Sequence, residues 1–237
     1  MATIKDKGIC IKTQDVSESD RRLTLLLLDR GRVTCYARGA KKTGSKFHAA
    51  AQVFAYSEFV LFEGPNFYSL AQCELKQNFY GVRADYDRLC LAAHIMELAE
   101  QMLMPDVPCQ NALRVIYFAL QKLAVPASDA LRTAAVFELK FLQGEGFIDN
   151  ELPKIPANFS VQAKNAVAEI LNADIRQAFE LSREVGAAQT SLHETREIMN
   201  ALDLFRREIL GFPLKSIQLL NVGEIGIGSG IGNDTYA

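Results

Sequence analysis

Near Asp85 the spacing of apolar residues changes from a period of two to one of about 3.6. The chain before that point can bury its side chains as a sheet, and the chain after it as packed helices. An α+β molecule with its strands first follows. Five strands are predicted: Lys5–Thr13, Arg22–Leu28, Arg32–Arg38, Val53–Phe62 and Phe67–Leu75. Asp29-Arg30-Gly31 makes a tight turn between the second and third. Glu63-Gly64-Pro65-Asn66 turns between the last two, and a short helical turn, SKFHAAAQ, follows the third. That order suits a small closed Greek-key barrel of the OB type over residues 1–80.

Helices are expected over residues 81–220. Leu89, Ala93, Met96 and Leu103 share one face of a helix that ends before Pro105. Leu113, Ile116, Tyr117, Leu120 and Ala124 mark a second, ending before Pro126. Ser128 is the expected cap of a third, which runs through Leu142 to Gly144-Glu145-Gly146. Two more are expected at about Ser160–Leu171 and Asp174–Leu181. Ser191 and Glu194 read as the capping box of a last long helix that buries Ile198, Leu202, Phe205 and Ile209. Residues 221–237, NVGEIGIGSGIGNDTYA, have no apolar period and read as a flexible glycine-rich tail.

The net charge of −2 hides an asymmetry. Residues 1–48 carry 11 Lys/Arg against 5 Asp/Glu, a net of +6, and the remainder carries a net of −8. A basic N-terminal part joined to an acidic remainder implies an anion-binding module attached to something else. Six cations and no acid fall between Arg30 and Lys46. On the third strand Val33, Cys35 and Ala37 share one face, and Arg32, Thr34, Tyr36 and Arg38 the other. Guanidinium groups flanking an aromatic ring, followed by lysines, are what single-stranded nucleic acid requires: cations for phosphates and a ring for bases. The candidate contacts are Arg22, Arg32, Tyr36, Arg38, Lys41, Lys42 and Lys46. On charge alone, a solvated edge strand with a solubilising loop fits equally well.

Other chemistry finds little support. GAKKTGSK (Gly39 to Lys46) approaches a phosphate-binding P-loop, but its Ser-Lys order reverses the Lys-then-Ser/Thr order that reaches phosphate and magnesium. The glycines of the tail do not fit the G-x-G-x-x-G spacing. His48, His94 and His193 stand apart, with no nucleophile motif beside them. The five cysteines form no CxxC pair, so neither cofactor nor metal is expected. No apolar run approaches the roughly 18 residues of a membrane span, and a cytoplasmic, nucleoid-associated location is expected. In the helical part, Arg114, Lys122, Arg132 and Lys140 form a second basic set, and the first three lie near Phe118, Leu123 and Leu131. They read either as ordinary helix-surface charge or as a cationic rim around an apolar groove, suited to an acidic peptide with a hydrophobic end.

Three segments in order, SESDRRLTLLLLDRGRVTCYARGAKKTGSK, ALRTAAVFELKFLQGEGF and LGFPLKS, carry a resemblance to the bacterial RecO family over essentially residues 1–220. The resemblance implies an N-terminal OB-fold and a helical domain, and with no catalytic motif in the sequence no enzymatic activity is expected. It also implies binding to single- and double-stranded DNA, annealing of complementary strands, and partnership with RecR and the C-terminal tail of the single-strand binding protein SSB. Together these help to load RecA on SSB-coated DNA. Many members carry two CxxC pairs soon after the segment matched by FLQGEGF. This chain has FIDNELPKIPANFSVQAKN there, without cysteine, which bears on the shape of that subdomain. Two rivals remain: an OB-fold RNA-binding protein without a recombination role, and an enzyme that uses the basic loop for a phosphorylated substrate.

Overall fold

Alternating apolar residues pair into five strands, β1 (Thr3–Asp15), β2 (Arg21–Leu27), β3 (Gly31–Ala37), β4 (Tyr56–Glu63) and β5 (Tyr68–Gln77). The computed structural model describes residues 3–65, 67–153, 155–156, 159–181 and 188–216, with 188–191 as backbone alone. The expectation for the glycine-rich tail lies outside these residues. The strands close into a barrel in the order β1-β2-β3-β5-β4. All pairings are antiparallel except β3 with β5, where Cys35 faces Tyr68 and Tyr36 faces Ser69. This is the OB-like order expected from the strand pattern.

Leu23, Leu25, Leu27, Val33, Cys35, Phe59 and Leu61 fill the barrel, and Phe47, Ala50 and Ala51 from the segment between β3 and β4 plug it. That segment is a series of turns, although Ala51 N–H does donate to Phe47 C=O at 2.8 Å, one helical turn's bond. The fourth strand starts at Tyr56, later than the expected Val53, because Phe54 takes a left-handed φ of 73° that no strand residue adopts.

A 3-10 turn (Tyr80–Ala84) precedes α1 (Tyr86–Met102), α2 (Gln110–Leu123), α3 (Ala130–Gly144), α4 (Val161–Asn172), α5 (Ile175–Glu180) and α6 (Ala188–Leu210). The chain groups into two compact units, Met1–Tyr80 with Met96–Leu120, and Gly81–Ile95 with the residues from Gln121 on. The helical stretch Met96–Leu120 thus groups with the strands.

In the second unit α3 is buried on nearly all sides, from Leu131 to Leu142, by packing against α4, α5 and α6. Its cap is Asp129, whose carboxylate accepts from Arg132 N–H at 2.9 Å, and not Ser128. The Ser128 hydroxyl instead donates to the carbonyls of Lys122 and Val125. Ser160 caps α4 as expected, and Asp174 with Gln177 forms a capping box on α5. Ser191, expected to start the last helix, lies within α6, which the described residues carry from Ala188. Leu89, expected on a buried face, is 37% exposed.

Glu138 of α3 is fully buried, between His94 (Nε2 at 3.2 Å) and the guanidinium of Arg206. Burial pushes its carboxyl up, but Arg206 and His94 together outweigh this and hold it below the usual range. His94 Nδ1 lies 3.2 Å from Ser216 Oγ, so His94 is a satisfied core histidine. The Lys140 ammonium donates to the carbonyls of Leu171 and Ala173 and to Gln143, closing the C-terminal end of α4. Lys140 is therefore a structural cation.

Candidate nucleic-acid interface

Cross-strand register builds the site on the first unit. Gln14 of β1 faces Arg22 of β2, and Arg22 faces Tyr36 of β3. Lys12, Thr24 and Thr34 form the adjoining row. Because alternate residues of a strand share a face, these outward side chains make one polar surface over the leucine-filled barrel. The surface floors a cleft of about 900 Å3, lined by Lys12, Arg22, Arg30 and Arg32 together with Phe67, Tyr68, Glu63, Glu100 and Asp106.

The far wall is the segment after α1. Arg32 Nε donates to the Leu103 carbonyl at 3.0 Å, and Asp106 N–H donates to the Arg32 carbonyl at 3.3 Å. Gly31 permits this approach: a Cβ there would lie 1.8 Å from the Val107 carbonyl oxygen. The cations of the cleft differ in freedom. Lys12 is paired with Glu100 at 2.7 Å. The Arg22 guanidinium donates to the neutral Gln14 amide oxygen and forms no ion pair among the described residues. Arg30 lies in no ion pair among the described residues, although its charge works against the burial that pushes the Asp6 carboxyl up.

The seven residues read from the sequence divide. Arg22 and Arg32 line the cleft, and Tyr36 meets Phe67 of its wall edge-on, with centroids 4.9 Å apart. The Arg38 and Lys42 side chains are exposed and form no ion pair among the described residues, although both charges add to the Gly39 hydrogen bond in holding down the Asp20 carboxyl. Lys41 is neutralised by Asp15 at 2.8 Å, and this bond holds the Asp15 carboxyl below the usual range. The loop's entry is fixed by Asp20, which accepts from Gly39 N–H at 2.8 Å and is itself held low by that bond. Lys46 turns to β5, where its ammonium donates to the Ala71 carbonyl and lies 5.0 Å from the centroid of the Phe47 ring. The loop is thus only partly uncompensated. Lys12 and Phe67 escaped the sequence reading, and Arg30, counted among the six cations, was not among the candidate contacts; the outward positions of Lys12 and Gln14 on β1 carried a signal for the first.

The residues expected to bind a peptide also divide. Leu123 and Leu131 are buried in the core and present no surface to a peptide, because the α3 seam they serve is closed. Lys122 and Arg132 are half-buried and belong to the second unit, whereas Arg114 and Phe118 belong to the first. Arg114, exposed on α2, lines a separate pocket of about 630 Å3 with Leu28, Tyr56, Leu113, Tyr117 and two amides, Gln110 and Asn111. No cluster of three His, Cys, Asp or Glu that could hold a metal ion occurs among the described residues. Among them, too, no helix is long and apolar enough to cross a membrane.

Residues 1–79 match the family model described as recombination protein O N terminal, and residues 83–148 the one described as recombination protein O C terminal. A curated relative from Acetivibrio thermocellus, a DNA repair protein RecO, is 32% identical over 147 residues, covering 62% of this chain and 59% of that protein. The protein of the same name from Desulforamulus reducens is 36% identical over 146 residues, covering 62% and 56%. That of Clostridium novyi is 31% identical over 147 residues, covering 62% and 57%. The match therefore spans less than two thirds of these relatives.

Proposed function

This chain belongs to the RecO family, and from that premise we propose that it is a recombination mediator of DNA repair that binds single- and double-stranded DNA and anneals complementary strands. The observation that carries the reading is the cleft on the barrel, where Arg22 and Arg30, without an ion-pair partner among the described residues, stand beside the exposed ring of Phe67. Two phosphate backbones repel each other, and a cationic face lowers that cost, so annealing by this route needs no nucleotide hydrolysis. The protein would work in the cytoplasm, at the nucleoid, and without a cofactor.

Its partners would be RecR, RecA indirectly, and the tail of SSB. An acidic tail with a hydrophobic end and a free carboxylate needs an apolar pocket beside an arginine. The pocket at Leu113, Tyr117 and Arg114 offers that combination, and Arg132 with Lys122 remains a candidate cation pair on the second unit. Arg114→Ala or Arg132→Ala should weaken binding of an SSB-tail peptide by roughly 1.5–3 kcal/mol, the scale of a charge-assisted hydrogen bond. Peptide titration by fluorescence anisotropy decides which arginine matters. Wild-type affinity in both variants would remove the peptide site from these helices.

The mediator reading is tested by mixing complementary labelled oligonucleotides with protein and no nucleotide. Annealing faster than the spontaneous rate, reduced by Arg22→Glu with Arg30→Glu, is the expected outcome. Competition between RNA and DNA of equal sequence separates the RNA-binding alternative, which predicts a preference for 2′-hydroxyl contacts.

A further inference from the structure

We propose that Phe67, backed edge-on by Tyr36, is a base-stacking platform that admits an unpaired base to the cleft, with Arg22 and Arg30 as the flanking phosphate contacts. The inference rests on the nucleic-acid reading above and names the part of the ligand that the cleft selects. Phe67 is 42% exposed in a cleft whose other lining is largely charged or hydroxylated. A ring so exposed, among side chains that are mostly charged or hydroxylated, is open to a ligand.

Two constraints hold it there. The turn before β5 is closed by Gly64 N–H donating to the Phe67 carbonyl at 3.1 Å, and a Cβ at Gly64 would lie 2.8 Å from that oxygen. Immediately after Phe67, Tyr68 and Ser69 join β3 and complete the barrel. The Tyr36 ring stands at 70° to that of Phe67, which fixes the angle of the platform. Tyr36 in turn faces Arg22 across β2 and β3, so a cation and the ring that backs the platform share one row.

A nucleotide matches this pairing of chemistries, with a flat face for the ring and an anionic backbone for the cations. A peptide would need a deeper apolar pocket, and a duplex keeps its bases stacked on one another and out of reach. The platform therefore discriminates unpaired from paired strands, while the cations serve both.

The chain contains no tryptophan, so Phe67→Trp places a single fluorescent reporter at the platform, and Phe67→Leu removes the ring but keeps an apolar side chain. Each full-length variant is titrated with a short oligothymidylate, an abasic phosphodiester of equal length, and a duplex. Phe67→Leu should weaken oligothymidylate binding about five- to a hundredfold, the range for loss of one base–aromatic stack. Abasic and duplex binding should change little. Fluorescence of Phe67→Trp should be quenched by oligothymidylate and not by the abasic strand. Unchanged oligothymidylate affinity in Phe67→Leu, or an equal loss for the abasic strand, overturns the platform while leaving the nucleic-acid reading intact. Absence of any nucleic-acid binding by the parent protein overturns that reading, and the platform with it.

Discussion

Lys41 donates to the Asp15 carboxylate, whereas Lys42, one residue on, has no such partner among the described residues. A strand's phosphates must compete with Asp15 for the first and not for the second. Lys42→Ala should therefore reduce oligonucleotide affinity more than Lys41→Ala, and Asp15→Asn should raise it by releasing Lys41 and Arg21. Anisotropy titration of the three variants checks the order. Thiol chemistry gives a second residue-level prediction. Burial pushes the Cys10 thiol up to about 12 and the Cys35 thiol higher still, and Cys90 and Cys109 are also buried. Reaction requires an exposed thiolate. The native protein should accordingly label at Cys73 alone, slowly, and at all five cysteines in denaturant. Fast native labelling at several cysteines would contradict the barrel core. Charge was legible at this scale but its neutralisation was not, because Asp15 lies 26 residues from Lys41.

The β2–β3 hairpin depends on Gly31, whose φ of 65° and contact with the Val107 carbonyl both exclude a side chain. Gly31→Ala should cost roughly 1–3 kcal/mol from the backbone conformation alone, with the steric overlap adding to it. Chemical denaturation measures this loss. Between the helices of the second unit, Arg206→Ala would leave the Glu138 charge buried with His94 as its remaining partner, and should cost about 3–5 kcal/mol. The folded Glu138 carboxyl sits below its usual value, so its contribution is present above the unfolded value of about 4.3 and is lost as pH falls through the folded one. Stability of the wild-type protein should thus fall in acid, as read by circular dichroism. Elements with clear periodicity were legible, and the five strands and six helices fall near their expected positions. Their ends were less so. Asp129 competes with Ser128 for one cap, and the left-handed Phe54 breaks a run of apolar residues that otherwise continues a strand.

Across the whole chain, the switch of period and the contrast between a basic start and an acidic remainder foretold a strand unit that carries exposed cations. They could not foretell the cleft itself. Its floor comes from three strands, its wall from the segment after α1 and its ring from the turn before β5. Only closure of the barrel brings Phe67 to Tyr36, 31 residues earlier in sequence. The central claim is that this face and the basic loop hold nucleic acid through cations that form no ion pair among the described residues, and salt tests that most directly. Each neutralised phosphate of a single strand releases counterion, so the slope of log affinity against log salt is about −0.7 per contact. Four cations, Arg22, Arg30, Arg38 and Lys42, predict a slope of roughly −3 for an unpaired oligonucleotide, flattening to about −1.5 in Arg22→Ala with Arg30→Ala. Anisotropy titration over a series of salt concentrations measures both. An affinity that does not change with salt, or a slope unmoved by the double substitution, would contradict the account.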